Sequence, residues 1–118
     1  FNNHQVRLTE SHQAQKTSVP GTAVSLAQAL GVPVDAVESV RSVPAQRERL
    51  QVPQAHLARH AVHEVVIEDG LCSVRLESRV YGEAPYAHGV GQIVAAVLAH
   101  PLQPRCYNVM EFVEQGWL

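Results

Sequence analysis

The spacing of apolar residues changes several times along the chain, and each change marks an element. In residues 4–10, His4, Val6 and Leu8 alternate with Gln5, Arg7 and Thr9, the two-residue period of a half-buried strand. Residues 11–21 are polar and close on Pro20-Gly21, which predicts a loop long enough to carry function. From Thr22 the spacing widens to that of a helix. Val24, Leu26, Ala27 and Leu30 share one face, Gly31 is a natural stop, and the Thr22 hydroxyl is placed to cap the first turn. Residues 34–43 fit two readings: Val37, Val40 and Val43 have helical spacing, while their β-branching suits a strand. Residues 44–58, with two prolines and the charged run Arg47-Glu48-Arg49, predict an extended, partly ordered loop.

A hairpin is the clearest element. Ala61–Glu68 and Cys72–Gly82 both have strand character, and Asp69-Gly70 supplies the turn between them. In the second strand Val74, Leu76, Ser78 and Val80 face one side, opposite Arg75, Glu77, Arg79 and Tyr81. Tyr86–Ala99 predicts a helix rich in small residues, ended by Pro101 and Pro104, and Val109–Gln115 a short last helix. The order strand, helix, hairpin, helix predicts an α+β fold, a mixed β-sheet with helices packed on one face.

Composition narrows the function classes. A chain of 118 residues fits one domain with one modest core. A net charge of -2 gives no clustered basic face for nucleic acid, and the single lysine, Lys16, rules out a polybasic membrane patch. No apolar run is long enough to span a bilayer. Cys72 and Cys106 match no metal-ligand spacing and read as two buried thiols of a cytoplasmic protein. The opening Phe1-Asn2-Asn3 reads as the cut end of a longer chain.

Candidate chemistry concentrates in residues 10–23. His12 can give or take a proton near neutral pH, and Lys16 supplies a cation four residues on. Gly21-Thr22 opens a helix whose free backbone N–H groups favour an anion. Together these suit a small carboxylate-bearing substrate with a centre that gains a proton. A solvated loop followed by a helix cap is the plainer reading of the same residues. His56, His60 and His63 could form a metal face only on a helix, and the strand signals around them argue against it.

The run Glu10-Ser11-His12-Gln13-Ala14-Gln15-Lys16, followed by Pro20-Gly21-Thr22-Ala23, resembles the signature of the dihydrodipicolinate reductase family. Weaker similarity extends to His63-Glu64-Val65, Tyr86-Ala87-His88-Gly89-Val90 and Tyr107-Asn108-Val109-Met110-Glu111-Phe112-Val113. The resemblance implies a substrate-binding and oligomerisation domain over residues 1–118, with an upstream Rossmann domain holding NADPH or NADH. It implies His12 and Lys16 as catalytic residues, Gln13, Gly21 and Thr22 as substrate contacts, a small dicarboxylate substrate in lysine biosynthesis, and a homotetramer built through the sheets. The fragment alone would then be inactive. Three features depart from the family pattern. Gln13 replaces a second histidine, Ser18 replaces an aspartate, and the loop is one residue shorter. Gln13 keeps hydrogen-bonding capacity but cannot become positive, which leaves open a paralogous oxidoreductase for another amino or keto acid. A non-catalytic oligomerisation or ligand-binding module is the alternative from a different class.

Overall fold

The computed structural model describes residues 4–118. They divide into two compact units, with the boundary between Glu83 and Ala84. The first is built on a four-stranded mixed sheet of order β2-β1-β3-β4, so the α+β class and the mixed sheet agree with the sequence reading. The strands are β1 (Gln5–His12), β2 (Glu38–Val40), β3 (His60–Glu68) and β4 (Ser73–Tyr81). β2 runs parallel to β1, and β1, β3 and β4 are successively antiparallel.

The register sorts side chains onto two faces. Leu8 lies opposite Val65, Glu10 opposite His63 and His12 opposite Ala61, so Val6, Leu8, Glu10, His12, His63, Val65 and Ile67 share one face. Helix α1 (Gly21–Leu30) packs on that face. Its Ala23 and Ala27 are completely buried against Leu8, Val37 and Val65. Alanine at both positions lets the helix axis approach the sheet, and burying a side chain such as Leu8 stabilises by about 1.5–3 kcal/mol. Gly31 ends α1 at φ 68°, a left-handed conformation that lets its N–H reach the carbonyls of Ala27 and Gln28.

The opposite face carries a second cluster, Val40, Leu50, Val52 and Val62, with Leu57 and Tyr81 packed against it. Leu50 and Val52 come from the segment expected to be an extended loop. That expectation is corrected: Val43–Glu48 forms helix α2, and Gln54–His56 forms a 3-10 turn. Pro44 sits in the first turn of α2, where a missing N–H costs nothing, so it starts the helix rather than breaking it. The two-way reading of residues 34–43 resolves into a 3-10 turn, Val34–Ala36, followed by β2.

Three further expectations change. Ser11 and His12 belong to β1 rather than to the loop after it. Thr22 does not cap α1. Pro20 holds the capping position in extended backbone with no side-chain cap, its carbonyl accepting from the Val24 N–H. Both cysteines are exposed rather than buried. Cys72 lies in the β3–β4 turn, where Asp69 Oδ1 accepts from the N–H groups of Leu71 (3.0 Å) and Cys72 (2.8 Å).

The second unit holds helices α3 (Ala87–Ala99) and α4 (Val109–Glu114). Asn108 and Glu111 form a capping box at the start of α4. Phe112 is buried edge-on to Tyr107 and Trp117, and Trp117 stacks on His100 at 4.3 Å.

Candidate functional site

The last residues of β1 present alternate side chains to the two faces, which separates two histidine environments. On the α1 face, Glu10 is completely buried, and its carboxylate accepts from three directions. Arg41, just past β2, donates from Nη2 to Oε1 (2.5 Å) and from Nη1 to Oε2 (3.1 Å). His12 donates from Nδ1 to Oε2 at 2.8 Å. Burial pushes the Glu10 carboxyl up, but hydrogen bonds from Arg41, Ser39 and His12, with the charge of Arg41, outweigh it and hold the group below its ordinary range. Glu10 is therefore a buried anion.

Arg41 also reaches the loop. Its Nε donates to the Lys16 carbonyl at 2.9 Å, so one guanidinium joins the loop main chain to the Glu10 carboxylate. Gln46, buried on α2, donates from Nε2 to the carbonyls of His12 (2.7 Å) and Val40 (3.1 Å), tying the ends of β1 and β2 together. The backbone at His12 is thus fixed by a side chain from a separate element.

His63 completes the cluster. It is 6% exposed, its ring lies edge-on to that of His12 with centroids 5.4 Å apart, and its Nε2 is buried without a hydrogen-bond partner among the described residues. Burial lowers its proton affinity, the neighbouring His12 lowers it further, and Glu10 opposes both. On the other face His60 is likewise lowered by burial, against the opposing pull of the His56 and Leu57 carbonyls. A neutral His60 with its proton on Nδ1 donates to those carbonyls (3.1 Å each), and its Nε2 lies 2.9 Å from the Ser11 hydroxyl, which also reaches the Val40 carbonyl at 3.1 Å.

A pH dependence follows. Unfolding exposes His60 and His63 to ordinary affinity near 6.5, whereas the folded chain binds their protons only at lower pH. Their stabilising effect is present above pH 6.5 and is lost as pH falls through the folded values. The urea midpoint of this chain should fall from pH 7.5 to pH 5.5, with a ceiling of about 1.4 kcal/mol per pH unit for each histidine. His63→Phe should flatten that slope; an unchanged slope would remove His63 as its source.

The sequence-derived site residues distribute unevenly. His12 stands at the end of β1, its side chain 17% exposed, in the centre of the polar cluster. Lys16 lies in the following loop with its ammonium donating to the Ser18 hydroxyl at 3.3 Å. Gln13 is exposed, and its carbonyl accepts from the Lys16 N–H. Gly21 and Thr22 are exposed in the first turn of α1, which has no side-chain cap and no acidic residue. Sequence reasoning missed Arg41, Gln46 and the pairing of Glu10 with His63. The one available signal was the unassigned acid of the Glu10-x-His12 spacing.

Among the described residues no group of three or more His, Cys, Asp and Glu is arranged to hold a metal ion, and no helix is long and apolar enough to cross a membrane. In the parallel β1–α1–β2 unit, the loop from β1 to α1 runs eight residues and closes on Pro20, unlike the short glycine-rich turn that sets a dinucleotide pyrophosphate against helix amides.

No family model matches the chain. It is similar to the 4-hydroxy-tetrahydrodipicolinate reductases 1 and 2, chloroplastic, of Arabidopsis thaliana, each 30% identical over 126 residues. It is also 30% identical over 128 residues to the probable chloroplastic reductase 1 of Oryza sativa subsp. japonica. These matches cover 98% of the chain but only 36–37% of the length of the relatives.

Proposed function

From the premise that this chain is a divergent relative of the 4-hydroxy-tetrahydrodipicolinate reductases over nearly its whole length, we propose that it is the substrate-binding and catalytic part of such a reductase. The observation that supports this most directly is the pairing of His12 with the buried Glu10 carboxylate, beside the loop that carries Lys16.

In this reading the substrate is a small unsaturated dicarboxylate. Lys16 and the uncapped first turn of α1, at Gly21 and Thr22, attract its carboxylates, and Gln13 adds a hydrogen bond. NADPH or NADH, held by a part of the protein outside this chain, supplies the hydride. Hydride addition to an unsaturated carbon places the displaced electron pair on the substrate, and a proton must follow. His12 exchanges that proton, and its only nitrogen not engaged by Glu10 is Nε2. Lys16 stabilises the developing negative charge.

The protein acts as a homotetramer through its sheet, in a thiol-reducing compartment, which we place in the cytoplasm. Residues 1–118 serve as one substrate and oligomerisation domain. The charged sheet face opposite α1, where Arg75 pairs with Glu64 at 3.1 Å, is the surface we assign to self-association.

Calorimetry on the full-length protein with pyridine-2,6-dicarboxylate tests the substrate class. Saturable binding is expected, weakened about 10–100-fold in Lys16→Ala through loss of a charge-assisted contact. Absence of binding, or equal affinity in the variant, would overturn the assignment. This chain alone should show no turnover.

A further inference from the structure

Nδ1 of His12 is held by a carboxylate that is itself held by a guanidinium, and this ordered series constrains the imidazole more than a single hydrogen bond would. We infer that Glu10 and Arg41 are positioning residues that lock His12 as the Nδ1–H tautomer and leave Nε2 as its one proton-exchanging atom. The use of that atom in catalysis rests on the function proposed above; the lock itself does not.

An ionised carboxylate is acceptor-only, so a neutral His12 bonded to Glu10 must carry its hydrogen on Nδ1. Arg41 contacts both oxygens of Glu10, which leaves the carboxylate no second rotamer that keeps its ion pair. Gln46 fixes the His12 carbonyl, so the ring cannot escape by backbone movement without breaking that bond. The cross-strand neighbour His63 packs against the ring edge and is neutral, so it adds no charge that competes with an imidazolium.

The charged and titratable groups around His12 come from several elements. Glu10 lies on β1, Arg41 follows β2, and His63 and His60 lie on β3, with His60 on the far face. Lys16 engages Ser18 instead. Among the described residues Glu10 is the anion in contact with the ring, so it is the group that fixes which nitrogen carries the hydrogen.

Imidazole 15N NMR on this chain tests the lock without any assay of turnover. In the unaltered chain with His12 neutral, Nδ1–H should be the dominant tautomer, although free imidazole side chains prefer Nε2–H; dominance of Nε2–H would overturn the proposal with no variant needed. In Glu10→Gln, Arg41 claims the amide oxygen and the amide NH2 turns towards His12, so the dominant tautomer should invert to Nε2–H. A variant that folds and keeps the wild-type tautomer also overturns it. In the full-length protein, the same change should lower kcat with little change in KM. If the tautomer inverts while the unaltered full-length protein reduces no dicarboxylate, the lock stands and the proposed reaction falls.

Discussion

Replacing His12 by glutamine in the full-length protein should lower kcat/KM by about 10²–10⁴-fold, the contribution of a positioned general acid or base. Glutamine suits this test because its amide can still donate to Glu10, so the buried carboxylate keeps a partner where Nδ1 stood. It cannot exchange a proton near neutral pH. The thermal midpoint should therefore change little while turnover collapses. The measurement is a steady-state reductase assay with the dicarboxylate substrate, paired with a melting curve. Turnover within a few-fold of the unaltered protein would mean that His12 is only a strand-end histidine bound to a buried acid.

The second large effect concerns stability. Arg41→Met should cost this chain about 3–5 kcal/mol at pH 7, because it removes one partner of a buried ion pair and strands the other. Glu10 is completely buried, whereas the Arg41 side chain is 19% exposed, so the penalty falls on the carboxylate. With total stabilities of about 5–15 kcal/mol, this is a large fraction. Urea unfolding reads it directly. The pH dependence distinguishes a stranded charge from lost packing. In the unaltered chain Glu10 titrates below its ordinary 4.5, so its stabilising effect is present above 4.5 and lost as pH falls through the folded value. In Arg41→Met the cation is gone and burial raises the carboxyl, so the variant gains stability as acid neutralises it. The difference between the two proteins should therefore shrink steadily between pH 7 and pH 4. A constant difference would indicate lost packing alone. Adding Glu10→Gln to Arg41→Met should recover much of the loss, since the stranded group is then uncharged.

The legible parts of the fold were those with a local signature. The β3–β4 hairpin announced itself by alternation and by Asp69-Gly70, and α1 by its spacing and by Gly31. β2 left little trace because it is three residues long and only Val40 in it is buried, too short a window for periodicity to speak. Its parallel pairing with β1 is a tertiary choice that no local pattern encodes. The candidate site divided along the same line. His12, Lys16, Gly21 and Thr22 lie within a dozen residues and could be read together. Arg41, Gln46 and His63 join them only once β2 and β3 flank β1. Pro44 misled because a proline reads as a breaker until its place in the first helical turn is known. Cys72 and Cys106 misled because cysteine is usually buried, and at Cys72 the turn chemistry of Asp69 decided instead.

Arg41 grips the loop by the Lys16 carbonyl, an atom that every amino acid carries. The attachment therefore places no demand on side-chain identity. A side-chain substitution in the loop leaves that carbonyl in place, and with it the guanidinium's hold on both the loop and Glu10. Such an anchor ties the loop's path to a buried ion pair and leaves the loop's side chains out of the tie.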